Sequence, residues 1–69
     1  MKLSARNMLK GKIVEVNKSK TTAHVRLDIG DGVIVTSSIT NEAVAELKLK
    51  KGQTAYAVVK ASDVMIAVD

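Results

Sequence analysis

Thr22-Ala23-His24-Val25-Arg26-Leu27-Asp28-Ile29 alternates without a break, with Ala23, Val25, Leu27 and Ile29 on one side and Thr22, His24, Arg26 and Asp28 on the other. Period two is the repeat of a β-strand, and a strand that is apolar on one side lays that side on a core. Directly after it, Gly30-Asp31-Gly32 supplies two glycines at ease with positive φ, the signal of a hairpin. The return strand is expected from Val33 to about Ile39, turning hydroxyl-rich at Thr36-Ser37-Ser38. On the N-terminal side, the polar stretch Asn17-Lys18-Ser19-Lys20 separates it from another β-rich run, Lys12-Ile13-Val14-Glu15-Val16. The Ile and Val there have the stiff χ1 that suits a pleated surface.

One helix is expected after the hairpin. Thr40 or Asn41 can cap it, Glu42 sits in the first turn where the dipole favours an anion, and Ala43, Val44 and Leu47 form an apolar stripe. It ends near Leu47, and Gly52 serves as the turn residue beyond Lys48, Lys50 and Lys51. A strand follows from Thr54 to Val59, with Tyr56 and Val58 opposed to Ala55, Ala57 and Val59. Lys60-Ala61-Ser62-Asp63 interrupts it, and Val64-Met65-Ile66-Ala67-Val68 reads as a last strand. Five strands with one short helix between the third and fourth are the layout of a small all-β, OB-like barrel, here one domain over residues 1–69.

Composition narrows the function. The 69 residues carry 11 Lys+Arg against 7 Asp+Glu, a single aromatic residue and no cysteine, which removes disulfides, thiolate metal sites and Cys nucleophiles. No apolar run approaches the roughly 18 residues of a membrane span, so the expectation is a cytoplasmic chain with no membrane partner. A domain this small buries only about 60% of its unfolded surface and usually needs a staple. With no disulfide, no large aromatics and one imidazole, burial against other copies of the chain is the staple left, so a homo-oligomer is expected.

Catalysis would have to run through His24, which sits on the polar side of its strand among Thr22 and Arg26 and reads as a solvent-facing residue. No phosphate-cradling glycine loop and no metalloprotease spacing appears, so neither an enzyme nor a direct protein–metal ligand set is expected. Single-strand nucleic-acid binding by an OB-like barrel uses aromatic stacking platforms, and Tyr56 alone makes that an alternative of low standing. The Lys48-Leu49-Lys50-Lys51 cluster follows a helix, where cations suit the dipole.

Small anions remain. A tetrahedral oxyanion needs converging backbone N–H groups, hydroxyls, amides and one or two cations. Ser4-Ala5-Arg6-Asn7, Thr36-Ser37-Ser38 and Lys60-Ala61-Ser62 have that donor chemistry. Each also has an ordinary structural reading, Ser4 as a turn or cap residue, Arg6 as a solvated cation and Ser62 as a turn former.

Ser4-Ala5-Arg6-Asn7 followed by Leu9-Lys10-Gly11 resembles the "SARNxLKG" opening of the molbindins, the small molybdenum-pterin-binding (Mop) proteins. Val58-Val59-Lys60-Ala61-Ser62-Asp63-Val64-Met65 is similar to that family's "VVK-[AS]-[ST]-x-V-M" ending, and Thr36-Ser37-Ser38-Ile39 and the Asn41–Leu47 helix stand where the family has its "TS-x-I" strand and "SVxEL" helix. The resemblance covers nearly the whole chain. It implies an OB-like barrel, also known as the TOBE domain of molybdate transporter ATPases and molybdate-responsive regulators. It further implies a hexamer, a trimer of dimers, that binds molybdate or tungstate at subunit interfaces for intracellular storage, with no organic cofactor. A domain acting in trans on such a transporter or regulator is the other reading.

Carried over by match, the anion contacts fall on Ser4, Arg6, Asn7, Lys60, Ala61 and Ser62, with Ala5 and Ala61 as candidate backbone donors and the Lys60 segment coming from a neighbouring subunit. A second kind of site is placed around Lys20, Thr21 and Thr22 or the hydroxyls of Ser37 and Ser38. There the chain departs from the family, since Lys18-Ser19-Lys20-Thr21 replaces a glycine-containing loop and a side chain can obstruct backbone approach. Met8 also stands where a polar residue is commoner.

Overall fold

Four strands form rather than five. The computed structural model describes residues 3–69, with strands β1 Asn7–Lys18, β2 Thr22–Asp28, β3 Ile34–Thr40 and β4 Thr54–Val59 in one antiparallel sheet of order β3-β2-β1-β4. A helix, α1, spans Asn41–Leu47 between β3 and β4, and a single 3₁₀ turn, Ala61–Asp63, follows β4.

The alternating strand lies at the centre as expected. Ala23, Val25 and Leu27 are buried while Thr22, His24 and Arg26 are exposed, and Ile29 packs at the margin of the core. The register pairs Ile13 with Leu27 and Val16 with Val25 on the inner face, and Asn17 with His24 and Glu15 with Arg26 on the outer face. Gly30, Asp31 and Gly32 all have positive φ and close the hairpin to β3, with the Gly30 N–H donating to Asp28 Oδ1 at 2.8 Å.

The first strand is longer than its Lys12–Val16 β-rich run. Its N-terminal half pairs with β4 (Asn7 with Val59 through Lys12 with Thr54) and its C-terminal half with β2 (Lys12 with Asp28 through Lys18 with Ala23), and a bulge at Val14 interrupts the β1–β2 register. That bulge bends β1 and curls the sheet. Gly11 permits the crossing, since a Cβ built there would stand 2.4 Å from the Asp28 carbonyl oxygen. A glycine inside a strand marks such a close approach, and it also masks the strand's pattern in sequence.

Helix α1 begins where its chemistry puts it. Thr40 Oγ1 accepts from the Ala43 N–H at 3.0 Å, and Lys48 ends the helix in the left-handed region at φ 53°, its N–H bonded back to Ala45 O. Only Val44 of the helix is buried; it completes a core of Ile13, Ala23, Val25 and Leu27. Leu47, expected on the apolar stripe, is 63% exposed at the lip of a cleft.

The last strand expected, Val64–Val68, is absent from the sheet. Beyond the Val64 N–H that closes the preceding turn on Ala61 O, it pairs with no strand among the described residues, and Met65, Ile66 and Val68 are about nine-tenths exposed. Composition made it β-rich, but a strand forms only where it pairs with an edge, and this segment pairs with none. The radius of gyration, 12.7 Å, exceeds the roughly 11 Å typical of a chain this long, as a protruding tail requires. Between the edges β3 and β4 the curled sheet leaves an apolar cleft of about 590 Å³, lined by Val35, Ile39, Leu49, Ala57 and Val59 among others. No helix among the described residues is long and apolar enough to cross a membrane.

Candidate functional site

The β1–β4 ladder decides where the first set of anion-contact candidates meets. Its last pair is Asn7 with Val59, and the Asn7 side chain donates Nδ2–H to the Val59 carbonyl at 3.1 Å. Ser4-Ala5-Arg6 runs into that pair and Lys60-Ala61-Ser62 runs out of it, so the two segments flank one sheet end within a single chain. Ser4, Arg6, Lys60, Ala61 and Ser62 are exposed, and Ala5 and Asn7 are half-buried.

The turn after Lys60 is fixed by Asp63 N–H to Lys60 O at 2.9 Å and Val64 N–H to Ala61 O at 3.2 Å. Its opening amides, Ala61 and Ser62, have no acceptor among the described residues, as at the start of any helical turn. The one ion pair among the described residues joins Arg26 to Glu15 at 3.5 Å on the outer face, so Arg6 and Lys60 are uncommitted. Two cations, unbonded amides and hydroxyls at one sheet end are the donor set that a dianion requires.

The second set is only partly assembled. Thr22 pairs with Thr40 and His24 with Ser38, which places Ser38 on the same outer face as Thr22, two pairs along. Ser37 pairs with the buried Val25 and lines the cleft instead, so it does not join the loop residues. The loop itself is tightly held. Ser19 N–H bonds Thr22 O at 2.8 Å, Ser19 Oγ bonds the same oxygen at 3.0 Å, and Ser19 Oγ lies 3.3 Å from Thr22 Oγ1.

Sequence reading missed the residue that does most of that holding. Asn41, treated as one of two cap candidates, leaves the capping to Thr40 and reaches back to the loop. Its Nδ2 donates to Ser19 O at 2.9 Å and to Lys20 O at 3.2 Å, and its backbone N–H donates to Thr21 O at 2.9 Å. No local pattern announces bonds across 21 and 22 residues, nor the one across 52 residues from Asn7 to Val59.

Other chemistry finds little support. His24 is exposed, and no group of three or more His, Asp or Glu side chains converges among the described residues. Tyr56, the sole aromatic, is half exposed on β4 beside Lys10.

Comparison with known proteins gives a consistent result. A family model described as "TOBE domain" matches residues 3–66. A protein of Haemophilus influenzae described as a probable molybdenum-pterin-binding protein is 46% identical over 69 residues, all of both chains. The structure of a molybdate-binding protein from Sporomusa ovata superposes with a TM-score of 0.92 at 32% identity, covering 99% of this chain and 100% of that one. The cytoplasmic molybdate-binding protein ModG, solved with molybdate bound, superposes with a TM-score of 0.89 at 46% identity over 94% of this chain and 46% of its own.

Proposed function

The chain belongs to the TOBE-domain family, and from that premise we propose that it is a non-enzymatic cytoplasmic protein that reversibly captures molybdate, or tungstate, between copies of itself. The observation that carries this reading is the bond from Asn7 to Val59, which holds the Ser4–Arg6 and Lys60–Ser62 segments at one sheet end. Arg6 and Lys60 balance the charge of the dianion. The hydroxyls of Ser4 and Ser62 and the amide of Ala61 fix its oxygens. Every one of these groups can donate, which suits a fully deprotonated oxyanion. Both segments are exposed in the single chain, and a second copy laid over them supplies the exclusion of water that strengthens such contacts.

Self-association has its own support. The cleft between β3 and β4 is lined mostly by apolar side chains, and the apolar segment Val64–Val68 pairs with no strand among the described residues. We place that segment of one copy against the open edges of another, where it becomes the fifth strand of the barrel. A hexamer built as a trimer of dimers is the assembly we expect, with anions at its interfaces and a storage role for molybdenum.

Native mass spectrometry with and without sodium molybdate tests both statements. A hexamer that gains several discrete oxyanion masses is the expected result. A monomer that takes up none overturns the reading, and oligonucleotide binding that falls steeply with salt would then put a nucleic-acid module in its place.

A further inference from the structure

The clamp made by Asn41 has a directional consequence. A trans peptide unit is planar, with its C=O and N–H pointing opposite ways, and no cis peptide occurs among the described residues. The carbonyl of Ser19 and the amide of Lys20 belong to one such unit, and the carbonyl of Lys20 and the amide of Thr21 to the next. Both carbonyls are drawn onto Asn41 Nδ2, at 2.9 and 3.2 Å. The N–H groups of Lys20 and Thr21 therefore face away from Asn41, side by side, and neither has an acceptor among the described residues. Two neighbouring amides aimed the same way form a small anion-binding concavity.

We infer that Asn41 is a positioning residue for oxyanion binding: by clamping the Ser19 and Lys20 carbonyls it presents the Lys20 and Thr21 amides, with the Lys20 ammonium beside them, to a molybdate-like dianion. The inference rests on the oxyanion-binding reading and extends it to a residue that touches no anion. Because the donors are backbone N–H groups, a lysine in the loop in place of glycine does not abolish them; its side chain adds charge. The clamp stands on α1, whose cap is made by Thr40, so the helix start does not depend on the Asn41 side chain. The Asn41 Oδ1 atom is buried with no partner, so the side chain is retained at that position by what its Nδ2 donates.

The test is a sodium molybdate titration of the ¹⁵N-labelled full chain followed by NMR, comparing wild type with Asn41→Asp and Asn41→Ala. Aspartate keeps the shape but cannot donate; alanine favours the helix and guards against a variant that fails to fold. In the wild type the Lys20 and Thr21 amide resonances should move to saturation. In both variants their half-saturation should need at least tenfold more molybdate, while the Ala61 and Ser62 amides titrate as before and the α1 resonances stay in place. Lys20 and Thr21 titrating unchanged in both variants would overturn the inference. So would a wild type in which Ala61 and Ser62 respond and Lys20 and Thr21 do not, a result that leaves the functional reading standing. A wild type in which no resonance responds overturns the functional reading, and the inference with it.

Discussion

The two halves of the sheet are built to different standards. Around β2 and α1, Ile13, Ala23 and Val44 are 1–3% exposed and Leu27 and Val25 only slightly more, and the adjoining loop is pinned at three successive carbonyls. Around β4, Tyr56 and Val58 are 50% and 44% exposed, the following segment has no partner, and one side-chain bond from Asn7 joins the chain's two candidate anion segments. The first half is closed by the chain's own packing; the second leaves apolar surface open. Burial of apolar area is the dominant driving force, so the difference is one of energy source as much as of shape.

Perturbing the closed half should cost most. Ile13→Ala removes the largest fully buried side chain and should destabilise by about 2–5 kcal/mol, lowering the melting temperature equally at every protein concentration. A lowering that itself changes with protein concentration would mean that the closed half also depends on its neighbours. Gly11→Ala, on the boundary between the halves, forces a methyl against the Asp28 carbonyl and should cost about 1–3 kcal/mol, seen as a lower denaturant midpoint. Removing residues 64–69 touches the open half alone. It should leave the circular dichroism of the sheet in place, abolish the concentration dependence of melting and shift sedimentation to smaller species; an unchanged assembly would sever the tail from self-association. Asn7→Ala should change stability by only about 1 kcal/mol, the worth of one hydrogen bond. Its mark should be a several-fold weaker molybdate affinity by calorimetry, and unaltered affinity would show that the two segments need no clip.

The same division governs what could be read in advance. Ala23 to Ile29, the Gly30-Asp31-Gly32 turn and the Thr40 cap are local features, in which neighbours along the chain set the outcome, and all three stand where the sequence places them. The start of β1 at Asn7 was hidden because Gly11 interrupts the pattern and the Val14 bulge shifts the face. Val64–Val68 carries the composition of a strand without the partner that would make it one. At the candidate site, the donor types of Ser4 to Asn7 and Lys60 to Ser62 were legible, and their meeting within one chain was not, since it rests on a ladder that spans the whole domain. The clamp from Asn41 lay beyond sequence for the same reason.

Surface loops ordinarily absorb insertions and deletions with little penalty. The turn from Ser19 to Thr21 is an exception, because Asn41 grips it by main-chain atoms at three consecutive positions. The Lys20 and Thr21 side chains take no part in that grip, whereas one residue added or lost would pull every carbonyl out of step with its donor. What the clamp demands of this turn is its length.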